Sequence, residues 1–489
     1  MSGVEEIILD TLSLDKQAIV FVNSKRSAES QAENISKQIK TSNELLEKIS
    51  DSVLKALSNP TKQCKRLALC IKKGIAFHHA GLSSIQRDLV EEGFRNRVIK
   101  VIVATPTLAI GVDLPAFRVI IRDLKRYSGF GMQYIPVLEY HQQAGRAGRP
   151  SFDSKGEAII IAKDVIEREE LWQKYVNGKP ENIYSKLAVE PVLRIYVLSL
   201  ISGGFVKSFD ELFEFMGNTF YAHQYGDMDR LKVILVKTIK SLVSWDFLEE
   251  FEGEILATRL GSRVSELYLD PYTANYLLEN YDADFDDFSL LQLICWTLEM
   301  RPLMRTRKAE ENLIFDKIVN SKLLVEEPDS YSDEFEEFLH SVKTASVLVD
   351  WMSEVTEEKL YEKWGCAPGE LNAKLERGNW LLYSLYELLK IRGYKNIGRI
   401  LRIQTRLKAG VKEELLALLR LKNIGRVRAR KLYDNKICDL GDVKKADMTS
   451  LTQILGEKLA VDVKAQLGIV EKPVKLNKRK GQINLNDFS

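Results

Sequence analysis

The run Ala18-Ile19-Val20-Phe21-Val22 is short, apolar and β-rich, and the polar, helix-favouring stretch that opens with Asn23-Ser24-Lys25-Arg26 follows it directly. That order predicts strand, loop, helix. The same signature recurs at Gly74 to Phe77, Val98 to Val103, Val119 to Ile121 and Ala158 to Ile161, with helical patterns between most of the runs. Alternating strands and helices predict an α/β domain over residues 1–180, built on a mainly parallel sheet covered on both faces. In such folds the ligand-binding loops leave the carboxyl ends of the strands.

Beyond residue 180 the expectation is of mostly α domains. Residues 181–272 predict helices at Val192 to Leu200, at Phe209 to Met216 with Ser208 as N-cap, and from Met228 onward. They close on a two-stranded segment in Phe247 to Thr258, which reads as a winged helix whose acidic wing favours packing over DNA contact. Residues 273–392 predict a helical bundle, broken by the acidic loop Glu326 to Asp333 and ending in a long helix from Pro368 to Lys390. Residues 393–470 predict a basic helix, glycine turn, helix module. Residues 471–489 are too polar to pack alone.

Composition bounds these expectations. At 489 residues the chain exceeds one hydrophobic core, and 45% apolar with 29% charged residues is ordinary for a globular protein. No apolar run is long enough for a membrane span, and the first residues lack a secretory pattern, so a cytoplasmic protein is expected. The five cysteines are scattered without C-x-x-C pairs, which reads as buried free thiols. The net charge of +2 hides an asymmetry: residues 391–436 hold 14 Lys/Arg against three acids, so the remainder of the chain is acidic. A concentrated positive segment is what contact with a phosphate backbone requires, and a solvated basic helix pair is the plainer alternative.

Two loops carry the most specific chemistry. One follows Lys100 to Ala104 and runs Thr105-Pro106-Thr107-Leu108-Ala109-Ile110-Gly111-Val112-Asp113-Leu114-Pro115; the other is Gln142-Gln143-Ala144-Gly145-Arg146-Ala147-Gly148-Arg149. Two arginines three apart at the start of a helix would share a face, and fixed guanidinium forks suit the oxygens of a transferring phosphoryl group. His78-His79, adjacent in a strand, would point to opposite faces and so make a poor metal pair.

In order, Ile19 to Ser24, Phe77-His78-His79-Ala80-Gly81-Leu82, Thr105 to Pro115 and Gln142 to Arg149 resemble motifs four, its following submotif, five and six of helicase superfamily two. F-H-H-A-G-L and Q-x-A-G-R-A-G-R-P resemble the Ski-like branch, and within it the archaeal fork-repair DNA helicases, relatives of the helicase domain of polymerase theta. The resemblance implies a RecA-like fold for residues 1–180 and roles for the matching residues. Gln142, Arg146 and Arg149 would face ATP, Arg146 or Arg149 serving as arginine finger. Gly111 and Asp113 would couple nucleotide state to the nucleic acid, and Thr105 would touch its backbone. A hairpin within residues 121–136 would be either the pin that splits the duplex, through Tyr127, Phe130 and Tyr134, or an ordinary edge hairpin.

The same resemblance makes residues 273–392 a ratchet bundle in which Trp380 either stacks on a base or packs in the core. The family's basic partner one heptad earlier is displaced here, to the neighbourhood of Ala373 and Lys374. In the basic module, Arg426, Arg428, Arg430 and Lys431 are the candidate phosphate contacts of a helix-hairpin-helix. The tail ends in Q-x-x-L-x-x-F, which resembles a sliding-clamp-binding peptide through Gln482, Leu485 and Phe488; a plain flexible end is the alternative.

One departure stands out. A helicase of this type needs a G-x-x-x-x-G-K-[ST] loop and a D-E-x-[HD] box to hold phosphates and Mg2+, and neither occurs in these 489 residues. The expectation is therefore the C-terminal part of an ATP-dependent 3′ to 5′ DNA helicase acting on forks and repair intermediates. It would be inactive alone, its ATP and Mg2+ held mainly by a first RecA-like domain or chain supplied elsewhere. Its other partners would be single-stranded and forked DNA. A non-catalytic DNA-binding and clamp-tethering subunit is the second reading, and an RNA helicase of the same branch the third.

Overall fold

The computed structural model describes residues 3–39, 43–57, 60–110, 112–128, 131–148, 153, 155–187 and 189–470. The chain divides into two compact units, one formed by residues 1–185 with 356–373, the other by residues 186–355 with the described residues of 374–489.

In the first unit the apolar runs become strands β1 (Ala18–Phe21), β2 (Ile75–His78), β3 (Val101–Ala104) and β4 (Arg118–Ile121). A hairpin of β5 (Lys125–Ser128) and β6 (Gly131–Tyr134) follows, then β7 (Glu157–Ile160). The sheet order is β2-β3-β1-β4-β7, and every neighbouring pair is parallel. β1 to β4 are buried along their whole length, so each residue can be apolar instead of every second one. Helices Lys25–Ser36 and Val137–Ala144 pack on the sheet, the first against β2 and β3, the second against β4. Local signals set the helix starts: Ser24 caps the first of these, and Ser83 with Gln86 forms a capping box on Ser84–Arg95.

Residues 356–373, which the sequence assigns to the ratchet bundle, pack with the first unit. The cause is close backbone packing: Gly369 N donates to Gly81 O at 3.1 Å, and Lys25 pairs with Glu370.

The second unit opens with helices Glu190–Ser202, Phe209–Gly217, Phe220–Tyr225 and Met228–Ser244, followed by the hairpin of β8 (Leu248–Phe251) and β9 (Glu254–Ala257). Ser208 caps its helix as expected. Glu252 and Gly253 both take positive φ at the turn, the geometry that matches the twist of a two-residue hairpin. Arg194 forks onto Asp270 at 2.5 and 2.6 Å, a buried pair fixing the first helix to the start of Pro271–Asn280. Helices Asp287–Trp296 and Asp333–Met352 follow, then residues 374–391 of helix Pro368–Ile391, and residues 326–332 are a loop. Residues 411–463 close a core of their own around Leu415, Leu418, Leu432 and Leu451.

The basic module differs from expectation on one side of its turn. The segment before the glycine is a 3-10 turn (Leu418–Arg420), not an α-helix; Leu421 is already extended, and Asn423 takes positive φ between that turn and Gly425. The helix after it, Arg426–Asp434, forms as expected. All five cysteines are free thiols, four buried and Cys438 half-buried. No helix among the described residues is long and apolar enough to cross a membrane.

Candidate nucleotide and nucleic-acid site

Four loops leave the carboxyl ends of β1 to β4. After β1, Asn23 N donates to the Asp123 carboxylate at 3.1 Å and its side-chain amide to Lys125 O at 2.9 Å, joining the loop to the hairpin. After β2 the two histidines diverge as expected. His78 Nε2 lies 3.0 Å from Glu91, and His79 Nε2 3.2 Å from Glu29. Gly81 N donates to His79 Nδ1 at 3.1 Å, so Nε2 carries the proton toward Glu29. Among the described residues no group of three His, Cys, Asp or Glu is placed to hold a metal.

After β3, Thr105 is extended and half-buried, its hydroxyl 3.0 Å from that of Thr107, and Pro106–Ala109 makes one 3-10 turn. Ala109 O then accepts from Arg146, at 3.2 Å from Nε and 2.6 Å from Nη2. Arg146 Nη1 lies 3.7 Å from Asp113, whose carboxylate is 96% exposed. The loop after β3 and the Gln142 to Arg149 string are thus brought together by one guanidinium. Gln142 is exposed on helix Val137–Ala144.

Arg146 does not start a helix. The helix stops at Ala144, Gly145 caps it, and Ala147 bridges to Ala116. Gly148 at φ +93 takes a backbone that side chains rarely adopt, and it turns the chain away from helix. Gly111, Phe130 and Arg149 lie outside the described residues, as do Gln482, Leu485 and Phe488.

The hairpin pairs Lys125 with Tyr134 through Ser128 with Gly131. Of its aromatic residues, Tyr127 is 68% exposed. Tyr134 is held: Lys125 Nζ lies 4.4 Å from its ring centroid and Lys174 Nζ 4.3 Å. Neither lysine was a candidate from the sequence, since only the fold brings residue 174 to the hairpin.

In the second unit Trp380 is half-buried and its indole N–H donates to Leu267 O at 3.0 Å. Lys374 is buried and donates to the carbonyls of Met300 and Pro302, and Arg377 donates to that of Arg301. These two cations brace the first half of the long helix. Tyr383 is 39% exposed, with Arg263 Nη2 3.3 Å from its hydroxyl.

The four basic candidates divide. Arg430 pairs with Glu354 at 2.6 Å and Glu414 at 2.8 Å. Arg426 donates to Val355 O at 2.9 Å and stacks over Trp351. Arg428 is exposed with one bond to Asn423 O, and Lys431 is exposed.

A parallel sheet whose motif-bearing loops share one end, followed by helical modules, defines the class: a RecA-like helicase domain with its C-terminal accessory domains. Residues 43–151 match the family Helicase conserved C-terminal domain, and residues 288–410 match Archaeal helicase, domain 4. The chain is 39% identical over 95% of its length to ATP-dependent DNA helicase Hel308 of Methanocella arvoryzae, of which it covers 64%. Against the proteins of the same name from Methanococcus vannielii and Pyrococcus horikoshii it is 36% and 38% identical, over 96% of its length and 68% and 67% of theirs. The chain belongs to the Hel308 family, and it spans about two thirds of the length of these relatives.

Proposed function

We propose that this chain is the rear part of an ATP-dependent 3′ to 5′ DNA helicase of the Ski-like branch, completing its ATP site with a first RecA-like half. The observation that carries the reading is the Arg146 contact, which holds a guanidinium beside Asp113 at the carboxyl end of the sheet. Guanidinium forks fit triphosphate oxygens, so ATP would be met here by Arg146 and Arg149, with Gln142 exposed nearby. When bound, Mg2+ neutralises charge on the phosphates, and its ligands are assigned to the first RecA-like half. On the DNA side, Tyr127 would meet the duplex end and Thr105 the backbone, while Trp380 would meet a base from the edge its bond to Leu267 leaves free. Arg428 and Lys431 would contact phosphates. Gln482, Leu485 and Phe488 would engage a sliding clamp, which deletion of residues 482–489 should abolish in a pull-down.

The test is to mix the chain with a first RecA-like half and measure DNA-stimulated ATP hydrolysis. Hydrolysis that appears only in the mixture and is lost on Arg149→Ala supports a shared site. Tight DNA binding without hydrolysis in any such mixture would favour a non-catalytic tethering subunit.

A further inference from the structure

The helix that carries Gln142 begins immediately after the hairpin. Tyr134 ends β6, Ile135 and Pro136 form the link, and Val137 opens the helix. A two-stranded hairpin with four-residue strands has little stability of its own, so its direction is set by what grips its base. Ile135 N donates to Leu124 O at 2.9 Å, and Arg126 of β5 pairs with Glu139 of the helix at 2.8 Å. Tyr134 sits between the two lysine ammonium groups, with its ring at an edge-on 6.4 Å from Tyr175.

Tyr175 is fully buried, and its hydroxyl donates to Ile135 O at 2.8 Å. On its other side it lies 5.0 Å from Tyr140, which lies 5.3 Å from His141, the neighbour of Gln142. One ring therefore touches both the base of the hairpin and the middle of the Gln142 helix. The local backbone is unusual: Trp172–Val176 is a π-helical turn, with Asn177 N donating to Trp172 O at 3.0 Å, and it brings the adjacent Lys174 and Tyr175 both to Tyr134. Such turns are rare in helices and recur at functional sites.

We propose that Tyr175 is a positioning residue that passes displacement of the Gln142 end of this helix to the hairpin, so that a change at the nucleotide re-aims Tyr127. The proposal rests on the reading of the hairpin as the strand-separating element. Eight helical residues span about 12 Å as a rigid rod, and close-packed rings shift together instead of absorbing a displacement. Tyr175→Phe keeps the ring and removes only the hydroxyl that holds Ile135.

The test compares Tyr175→Phe and Tyr127→Ala with the parent, each mixed with the first RecA-like half, reading ATP hydrolysis and strands separated per ATP on a forked duplex. Tyr175→Phe should keep its DNA-stimulated hydrolysis and lose strand separation per ATP by about fivefold, the loss expected for one hydrogen bond. Equal loss of both activities, or of neither, overturns the proposal. If Tyr127→Ala separates strands as the parent does, it is the reading of the hairpin that fails. A second measurement needs no nucleotide: in the chain alone, Tyr175→Phe should speed amide hydrogen exchange in β6 and in Val137–Ala144 together. Faster exchange in β6 alone would overturn the link.

Discussion

The guanidinium of Arg146 and the main-chain carbonyl of Ala109 are joined by two N–H groups of one fork, Nη2 at 2.6 Å and Nε at 3.2 Å. The turn after helix Val137–Ala144 and the loop after β3 are therefore one mechanical piece. The side chain is only 21% exposed, so this bond is sheltered from water.

Arg146→Ala should destabilise the chain by about 1–3 kcal/mol, because it strands a carbonyl in a half-buried site. Arg146→Lys keeps the charge without the fork and should recover part of that loss. Urea denaturation of the chain alone reads both. An Arg146→Ala variant as stable as the parent would mean the bond is not formed in solution.

Gly369→Ala tests the packing of residues 356–373 in the first unit. A Cβ at Gly369 would lie 2.2 Å from Ala80 O and 2.4 Å from Leu82 O, both backbone atoms that cannot swing away. Overpacking of this kind costs about 1–3 kcal/mol. The expected outcome is a lower urea midpoint together with faster hydrogen exchange at Ala80 to Leu82; a neutral substitution would place this glycine elsewhere.

Arg430 and Lys431 are adjacent in sequence and should behave oppositely. Lys431→Ala should weaken DNA binding and lower the salt slope by about one, as expected for one lost phosphate contact. Arg430→Ala should leave the slope unchanged and instead release Glu414, whose carboxyl the guanidinium holds below the usual carboxylate range, and Glu354, where burial pushes the carboxyl up but the guanidinium and the Lys412 N–H together bring it below that range. Titration of binding against salt separates the two, and a reduced slope for Arg430→Ala would contradict the assignment.

How much of this was legible depended on how local each cause is. The five parallel strands, the caps at Ser24 and Ser208 and the divergence of His78 and His79 follow from neighbours within a few residues, and the sequence predicts them. Arg146 leaving the helix was readable in principle from Gly145 and Gly148, since two glycines so close disfavour helix. The contacts of Lys374, Arg430 and Tyr175 were not readable. Each is decided by a partner far along the chain: Met300 and Pro302, Glu354, and the Tyr134 to Tyr140 segment. A charge or an aromatic ring looks the same in sequence whether it meets DNA or a carbonyl 70 residues away.

His78 should make the first unit acid-sensitive. Burial is the largest influence on it and lowers its pKa from the ordinary 6.5, while the bond to Glu91 pulls the other way. Its Nδ1 is buried without a hydrogen-bond partner, so protonation would place a second donor where no acceptor waits. In the unfolded chain the ring takes a proton near its ordinary pKa, and in the folded chain only at lower pH. Between those two points the unfolded state binds more protons, so stability is complete above the unfolded pKa and declines as pH falls below it. Urea midpoints at about pH 7.5, 6.5 and 5.5 should fall in that order for the parent. His78→Gln, which can still donate to Glu91 but does not titrate, should flatten the decline between the last two. Equal slopes for parent and variant would remove His78 as the cause and leave the carboxylates to account for any loss in acid.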